Sequence, residues 1–168
     1  MEMGKKRMQT CCFTGHRQIP PMERPGLTAK LERSVIELYR RGILYYGAGG
    51  AIGFDCLAAQ TVLRLRESCP DMKLILVLPC LNQTRGWRAE DVAEYERIKE
   101  QADKVTYISQ QYTRDCMFRR NRHLVDNSGF CICYLTKNNG GTAYTADYAK
   151  RQGLTVVNLA KLESECKE

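Results

Sequence analysis

A chain of 168 residues, 43% hydrophobic and 27% charged, has material for one well-filled core and little for a second. No apolar run approaches the ~18 residues of a membrane span, and the basic start MEMGKKRMQTCC is followed by too short an apolar stretch for a secretory signal. The expected setting is cytoplasmic, with no membrane partner.

Nine cysteines are scattered through the chain with no CxxC pair, and there are two histidines. That pattern gives neither a disulfide scaffold nor a structural zinc site, so no metal is expected and the thiols read as reduced and mostly buried. The net charge of +7 is concentrated towards both ends. It suits a phosphorylated ligand or nucleic acid, and it equally suits a solvated basic surface.

The first predicted strand is Met8 to Thr14, closed by Gly15. Three prolines in the following loop, GHRQIPPMERPG, delay regular structure until about Pro25. Leu27, Leu31, Val35 and Leu38 recur at helical spacing, and Gly42 ends that helix. Ile43 to Tyr46 reads as the second strand and runs into the glycine-rich turn GAGGAIG, from which a helix starts near Phe54 and stops before Pro70. Lys73 to Leu78 is a nearly continuous apolar run, as expected of a strand covered on both faces.

A loop from Cys80 to Arg88 leads to a helix that opens on Ala89-Glu90-Asp91, with acid at the positive end of its dipole. Trp87 in that loop is read either as a lid stacked over a base or as a cover for its own helix. Lys104 to Ile108 is the fourth strand. The next helix, Asp115 to Asn127, is expected to bury Met117 or Phe118 with Leu124 and Val125. Phe130 to Leu135, a helix from Thr142 to about Arg151 and a strand from Leu154 to Leu159 complete the alternation. Residues 8–160 are therefore expected to form a single α/β domain of Rossmann-like three-layer α/β/α type. Its sheet is mostly parallel, with five to six strands, and residues 161–168 are a tail.

In such a sheet the ligand sits outside the carboxyl ends of the strands, where strand order reverses. Four anion-binding signals fall at those ends. Gly15, His16 and Arg17 follow the first strand. Gly47, Gly49, Gly50, Gly53 and Asp55 follow the second, and turns of this kind let backbone amides approach an anion. Arg120, Asn121 and Arg122 open the helix after the fourth strand; with Arg119 they span less than one turn, so one arginine and Asn121 are expected to point inward. Gly140, Gly141 and Thr142 follow the fifth strand, with Thr142 expected to cap its helix. Asp55 is the candidate catalytic carboxylate. As a ligand-binding group it would accept hydrogen bonds from ribose hydroxyls or water.

TGHR at 14–17, GGAIGFDCLAA at 49–59, FRRNRHLVDNS at 118–128 and NNGGTAYTADYA at 138–149 together resemble the SLOG superfamily of Rossmann-like domains, in particular its YpsA-like branch. The resemblance covers essentially residues 8–160. It extends to DprA, which has similar T-G-x-R, G-x-A-x-G-x-D and R-N-R segments, and to the Lonely Guy phosphoribohydrolases. It implies a pocket for a nucleotide or nucleotide-derived ligand walled by Gly15, Arg17, the 49–55 turn, residues 120–122 and residues 140–142. The implied partner is a phosphate-bearing small molecule, with weak single-stranded DNA contact and homo-oligomer formation as further expectations. No cofactor is implied beyond such a ligand.

One position departs from the phosphoribohydrolase pattern: Thr145 stands where those enzymes carry a catalytic glutamate, and the nearest acid is Asp147. Three readings follow. The leading one is binding or sensing of a nucleotide-derived ligand. The alternatives are a nucleoside-phosphate N-glycosidic hydrolase using Asp55 as general base, and a DprA-like binder of single-stranded DNA.

Overall fold

The computed structural model describes residues 2–160; the expected tail at 161–168 lies outside the described residues. Six helices and six strands follow one another as α1 (Glu2–Met8), β1 (Thr10–Gly15), α2 (Arg24–Arg40), β2 (Tyr45–Ala48), α3 (Phe54–Arg66), β3 (Lys73–Leu78), α4 (Ala89–Gln101), β4 (Lys104–Tyr107), α5 (Cys116–Asp126), β5 (Phe130–Tyr134), α6 (Gly141–Arg151) and β6 (Thr155–Asn158). The strands form one sheet in the order β4-β3-β2-β1-β5-β6. Every pairing is parallel, so the expected "mostly parallel" sheet is wholly parallel. This is the Rossmann-like three-layer α/β arrangement.

Alternation along the strands splits the core between two layers, as a pleated strand requires. Cys11, Phe13, Tyr46, Leu74, Leu76 and Ile132 pack with Leu31, Val35 and Val62 from α2 and α3. Cys12, Cys131 and Cys133 turn to the opposite face and meet Leu124 and Val125 of α5 and Ala146 and Ala149 of α6. The thiols in β1 and β5 thus act as small apolar side chains, and burial pushes that of Cys11 well above its usual range.

Several boundaries differ from expectation. Met8 ends α1 and does not begin β1. Helix α2 starts at Arg24, with Pro25 in its first turn, where a missing N–H costs nothing. Strand β2 starts at Tyr45, so Gly47, expected in the turn, is a strand residue; a Cβ there would lie 2.9 Å from a methyl of Leu124, and the glycine admits α5 to the sheet. In α5 the buried residues are Cys116, Arg120, Leu124 and Val125, whereas Phe118 is exposed.

The chain runs from β1 outward to β4 on one side and then returns to place β5 on the other side of β1. Strand order therefore reverses between β1 and β5, which puts the crevice of an open α/β sheet at their carboxyl ends.

Candidate functional site

At the end of β1, four rings pave the floor beneath Gly15. Phe13 stacks on Tyr46 at 6.2 Å, Phe54 stacks on Tyr134 at 6.0 Å, and Phe13 meets Phe54 edge-on at 6.4 Å. A Cβ on Gly15 would fall 2.4 Å from the Phe54 ring, so glycine alone lets the strand end lie on this floor. Beyond it the chain crosses the glycine turn. Gly53 has φ +82°, and a Cβ there would sit 2.2 Å from the Arg17 carbonyl oxygen. The Phe54 amide donates to the His16 carbonyl at 3.1 Å. The first amide of α3, expected to face an anion, is thus occupied by the neighbouring loop.

Asp55 is buried, and one carboxylate oxygen accepts the Ala51 amide at 3.3 Å. Burial raises its pKa above the usual carboxylate value, opposed by attraction to Arg120, by the Ala51 hydrogen bond and by Arg17. Arg120 is buried as well, with 5% of its surface exposed. Its Nη1 donates to the Gly49 carbonyl, and its Nε donates to the Asn121 side-chain oxygen at 2.7 Å. Gly49 is glycine for room: a Cβ would lie 2.6 Å from that guanidinium. Gln83, a buried polar residue that the sequence does not single out, donates its Nε2 to the same Gly49 carbonyl at 3.3 Å.

Across the crevice, Gly140 has φ +91° and forms the N-cap of α6 without any side-chain cap. Thr142 lies inside the helix and is not its cap. The first turn of α6 consists of Gly141, Thr142 and Ala143, whose amides have no intrahelical acceptor, because the first i−4 bond runs from Tyr144 to Gly140. His16 ties this side to β1: its Nε2 accepts the Thr136 amide at 2.9 Å, and its ring lies edge-on to Tyr134 at 5.9 Å. Burial and nearby Lys137 hold the imidazole below its ordinary 6.5.

Between these walls lies a crevice of about 350 Å³, lined by Gly15, His16, Arg17, Asp55, Arg120, Asn121, Gly141 and Thr142 together with Thr14, Ala51 and Met117. It brings together eight of the sequence-predicted residues. Gly47, Gly49, Gly50, Gly53 and Gly140 do not line it. Gly49, Gly50 and Gly53 shape the turn behind it, and Gly50, with φ +75°, is crowded by Leu78, Gln83 and Tyr95. Arg122 points away: it donates to the Tyr144 hydroxyl at 2.5 and 3.2 Å and lies 5.8 Å from the rings of Tyr144 and Tyr148. Of the three arginines in this stretch, Arg120 is the one turned inward.

Thr145 is buried and bonds back to the Gly141 carbonyl at 2.9 Å. Asp147 lies with Lys150 and Asn158 around a separate cavity on the β6 side of α6. Neither supplies a carboxylate to the crevice. Among the described residues no cluster of three or more His, Cys, Asp or Glu side chains is arranged to hold a metal ion, and no helix is long and apolar enough to cross a membrane.

A profile of the family described as the YspA SLOG family (YpsA) matches residues 11–159. Among curated proteins the chain is similar to a UPF0398 protein of Brevibacillus brevis, 27% identical over 76% of this chain and 71% of that one. It is also similar to a UPF0398 protein of Halalkalibacterium halodurans, 27% identical over 72% of this chain and 66% of that one. Among solved structures it resembles DNA processing protein A of Helicobacter pylori, with a TM-score of 0.63 and 17% identity over 92% of this chain and 66% of that one. The same protein of Streptococcus pneumoniae gives a TM-score of 0.63 and 16% identity over 92% of this chain and 50% of that one. The chain therefore spans about two thirds of the curated relatives and half to two thirds of these structures.

Proposed function

The chain belongs to the YspA SLOG family, and on that premise we propose that it binds a phosphate-bearing, nucleotide-derived small molecule in the crevice at the β1/β5 switch. The observation that carries this reading is the convergence on one crevice of Arg17, Arg120 and the first two residues of α6, Gly141 and Thr142, whose amides have no intrahelical acceptor. Two guanidinium groups and the positive end of a helix dipole complement a phosphate, and no substrate bond need be broken for them to act. Asp55 would accept hydrogen bonds from sugar hydroxyls, and Asn121 would hold Arg120 in place. The protein would then act as a ligand-binding or sensing domain, in the cytoplasm.

The test is a thermal-shift titration with inorganic phosphate, nucleoside monophosphates and ADP-ribose. A ligand that binds the folded state alone stabilises it by about 2.7 kcal/mol at a hundredfold excess over Kd. Arg17→Ala, at an exposed side chain, should leave the unliganded melting temperature unchanged and remove the shift. No shift with any of these compounds would overturn the reading.

A second reading, hydrolysis of a nucleoside phosphate with Asp55 as general base, is favoured by one observation: Asp55 lines the crevice with a raised pKa. Against it, Thr145 is turned into its own helix and offers no second carboxylate. Free base released from nucleoside monophosphates by the wild type but not by Asp55→Asn would establish it. A third reading starts from the structurally similar DNA processing protein A of Helicobacter pylori, which binds single-stranded DNA. Shared fold at 17% identity supports nucleic-acid binding here at a coarse level, and a steep salt dependence separates it from small-ligand binding.

A further inference from the structure

We infer that the cavity between Arg17, the loop at 82–87 and Tyr112 is a nucleobase subsite, occupied by the base of a nucleotide whose phosphate lies in the neighbouring crevice; this rests on the nucleotide reading above.

The cavity measures about 320 Å³ and is lined by Arg17, Asn82, Gln83, Arg85, Trp87, Tyr112 and Met117. Arg17 and Met117 also line the crevice, so the two spaces meet at these side chains. The chemistry of the walls is selective. There are two aromatic rings, two guanidinium groups and two carboxamides, and there is no carboxylate. Aromatic faces and arginine planes stack on a flat heterocycle, whereas carboxamides pair with its edge. A cationic group would be repelled by the two guanidinium groups.

The other space adjoining the crevice carries the opposite charge. It lies between α3 and α4, shares Ala51 and Asp55 with the crevice, and is lined by Asp91 and Glu94 as well as by Arg24, Trp87 and Tyr95. Its three carboxylates, Asp55 included, outnumber the single guanidinium of Arg24, whereas the cavity at Tyr112 offers two guanidinium groups and no carboxylate to a phosphate-bearing ligand. From the phosphate position the ligand therefore extends past Arg17 towards Tyr112 and the near side of Trp87.

Two further features fit a base. Trp87 is half-buried and held edge-on against Tyr95 at 5.6 Å, so it lines the cavity on a rigid mount. It covers its own helix and lines the cavity at once. Gln83 is 6% exposed and its Oε1 has no hydrogen-bond partner among the described residues. Buried acceptors are seldom left unpaired; this one faces the Gly50 turn, and a base bearing an amino or ring N–H would supply its donor once the carboxamide turns into the cavity.

Trp87 is the single tryptophan of the chain and borders both this cavity and the space between α3 and α4, so its emission reports on the two together, and Tyr112, which lines this cavity and not the other, tells them apart. The full chain would be titrated with the four nucleoside 5′-monophosphates, ribose 5-phosphate and inorganic phosphate. Fluorescence would be excited at the red edge of the indole band, with calorimetry in parallel. At least one nucleoside monophosphate is expected to quench Trp87 and to bind about tenfold or more tighter than ribose 5-phosphate, the range that stacking of one base supplies. Ribose 5-phosphate should bind without quenching. Trp87→Leu should bring the nucleotide down to the affinity of ribose 5-phosphate. Tyr112→Ala, at a side chain 61% exposed, should weaken the nucleotide alone even if Trp87→Leu disturbs α4. Equal affinities for nucleotide and ribose 5-phosphate with unchanged emission would overturn the subsite and leave the phosphate crevice standing. Failure of every compound to bind would remove both.

Discussion

The backbone of Arg17 lies directly on Gly53: a single methyl group at residue 53 would sit 2.2 Å from the Arg17 carbonyl oxygen. Two segments that read separately in the sequence, TGHR and GGAIGFD, are therefore one structure, stacked loop on turn. The neighbouring hydrogen bond from the Phe54 amide to the His16 carbonyl fixes the same contact.

Gly53→Ala should for that reason destabilise the fold and displace Arg17. The φ of +82° alone costs an L residue about 1–3 kcal/mol, and the contact adds to it. Calorimetry should show a lower Tm, and any phosphate-induced shift should vanish. Gly26→Ala, in α2 away from the crevice and with nothing within 4 Å of the added methyl, is the control and should lose neither.

Asp55 carries a pH signature. Its folded pKa lies above the unfolded value, so ionisation disfavours the folded state. The cost is absent below the unfolded pKa near 3.8 and grows as pH rises through the folded pKa. Asp55→Asn should therefore be at least as stable as wild type at neutral pH. Its advantage should shrink on acidification and disappear below about pH 4. A Tm series against pH for the two proteins tests this, and a constant difference across the range would refute it.

His16 titrates with the opposite sense of charge. Its folded pKa is depressed, so the neutral ring, accepting the Thr136 amide, stabilises the fold above the unfolded value of 6.5, and this contribution is lost as pH falls below it. The imidazole resonances followed by NMR should titrate below the model-peptide value. His16→Ala should flatten the stability profile between pH 6.5 and the folded pKa.

Nucleic-acid binding should be weak and steeply dependent on salt. Each phosphate contacted on a single strand releases ~0.7 counterion, and Arg122, one of the cations available on α5, is held by Tyr144 and Tyr148. Fluorescence anisotropy should show length-dependent binding of oligonucleotides at low salt that is largely lost at physiological salt. Micromolar, salt-resistant binding would put the single-stranded DNA reading first.

The strands and their order of appearance were legible because buried parallel strands are apolar throughout, as KLILVL at 73–78 illustrates. Glycines were legible as special but not in their roles. Gly47 admits Leu124, Gly49 admits the Arg120 guanidinium, and only tertiary contact tells these from turn glycines. Helix α1 has no apolar stripe to betray it; Arg7 holds it by donating to the Ser128 carbonyl at 3.2 Å and the Gln152 carbonyl at 3.4 Å, partners more than 120 residues away. Gln83 gave no signal at all, because a glutamine in a polar loop looks the same whether it faces water or a buried carbonyl. Thr142 was misread as a cap because glycine at 140 already provides the turn that a capping side chain would otherwise stabilise.

The double hydrogen bond at the Gly49 carbonyl bears on how quickly a ligand could be gripped. With Arg120 and Gln83 both donating to it, and Asn121 accepting from the Nε of Arg120, the guanidinium is fixed before any anion arrives. A free arginine surrenders about 2 kcal/mol of rotamer entropy when it is immobilised. Here that freedom disappears during folding, so an incoming phosphate meets a preorganised cation, and the ordering left to accompany binding falls chiefly on the exposed Arg17.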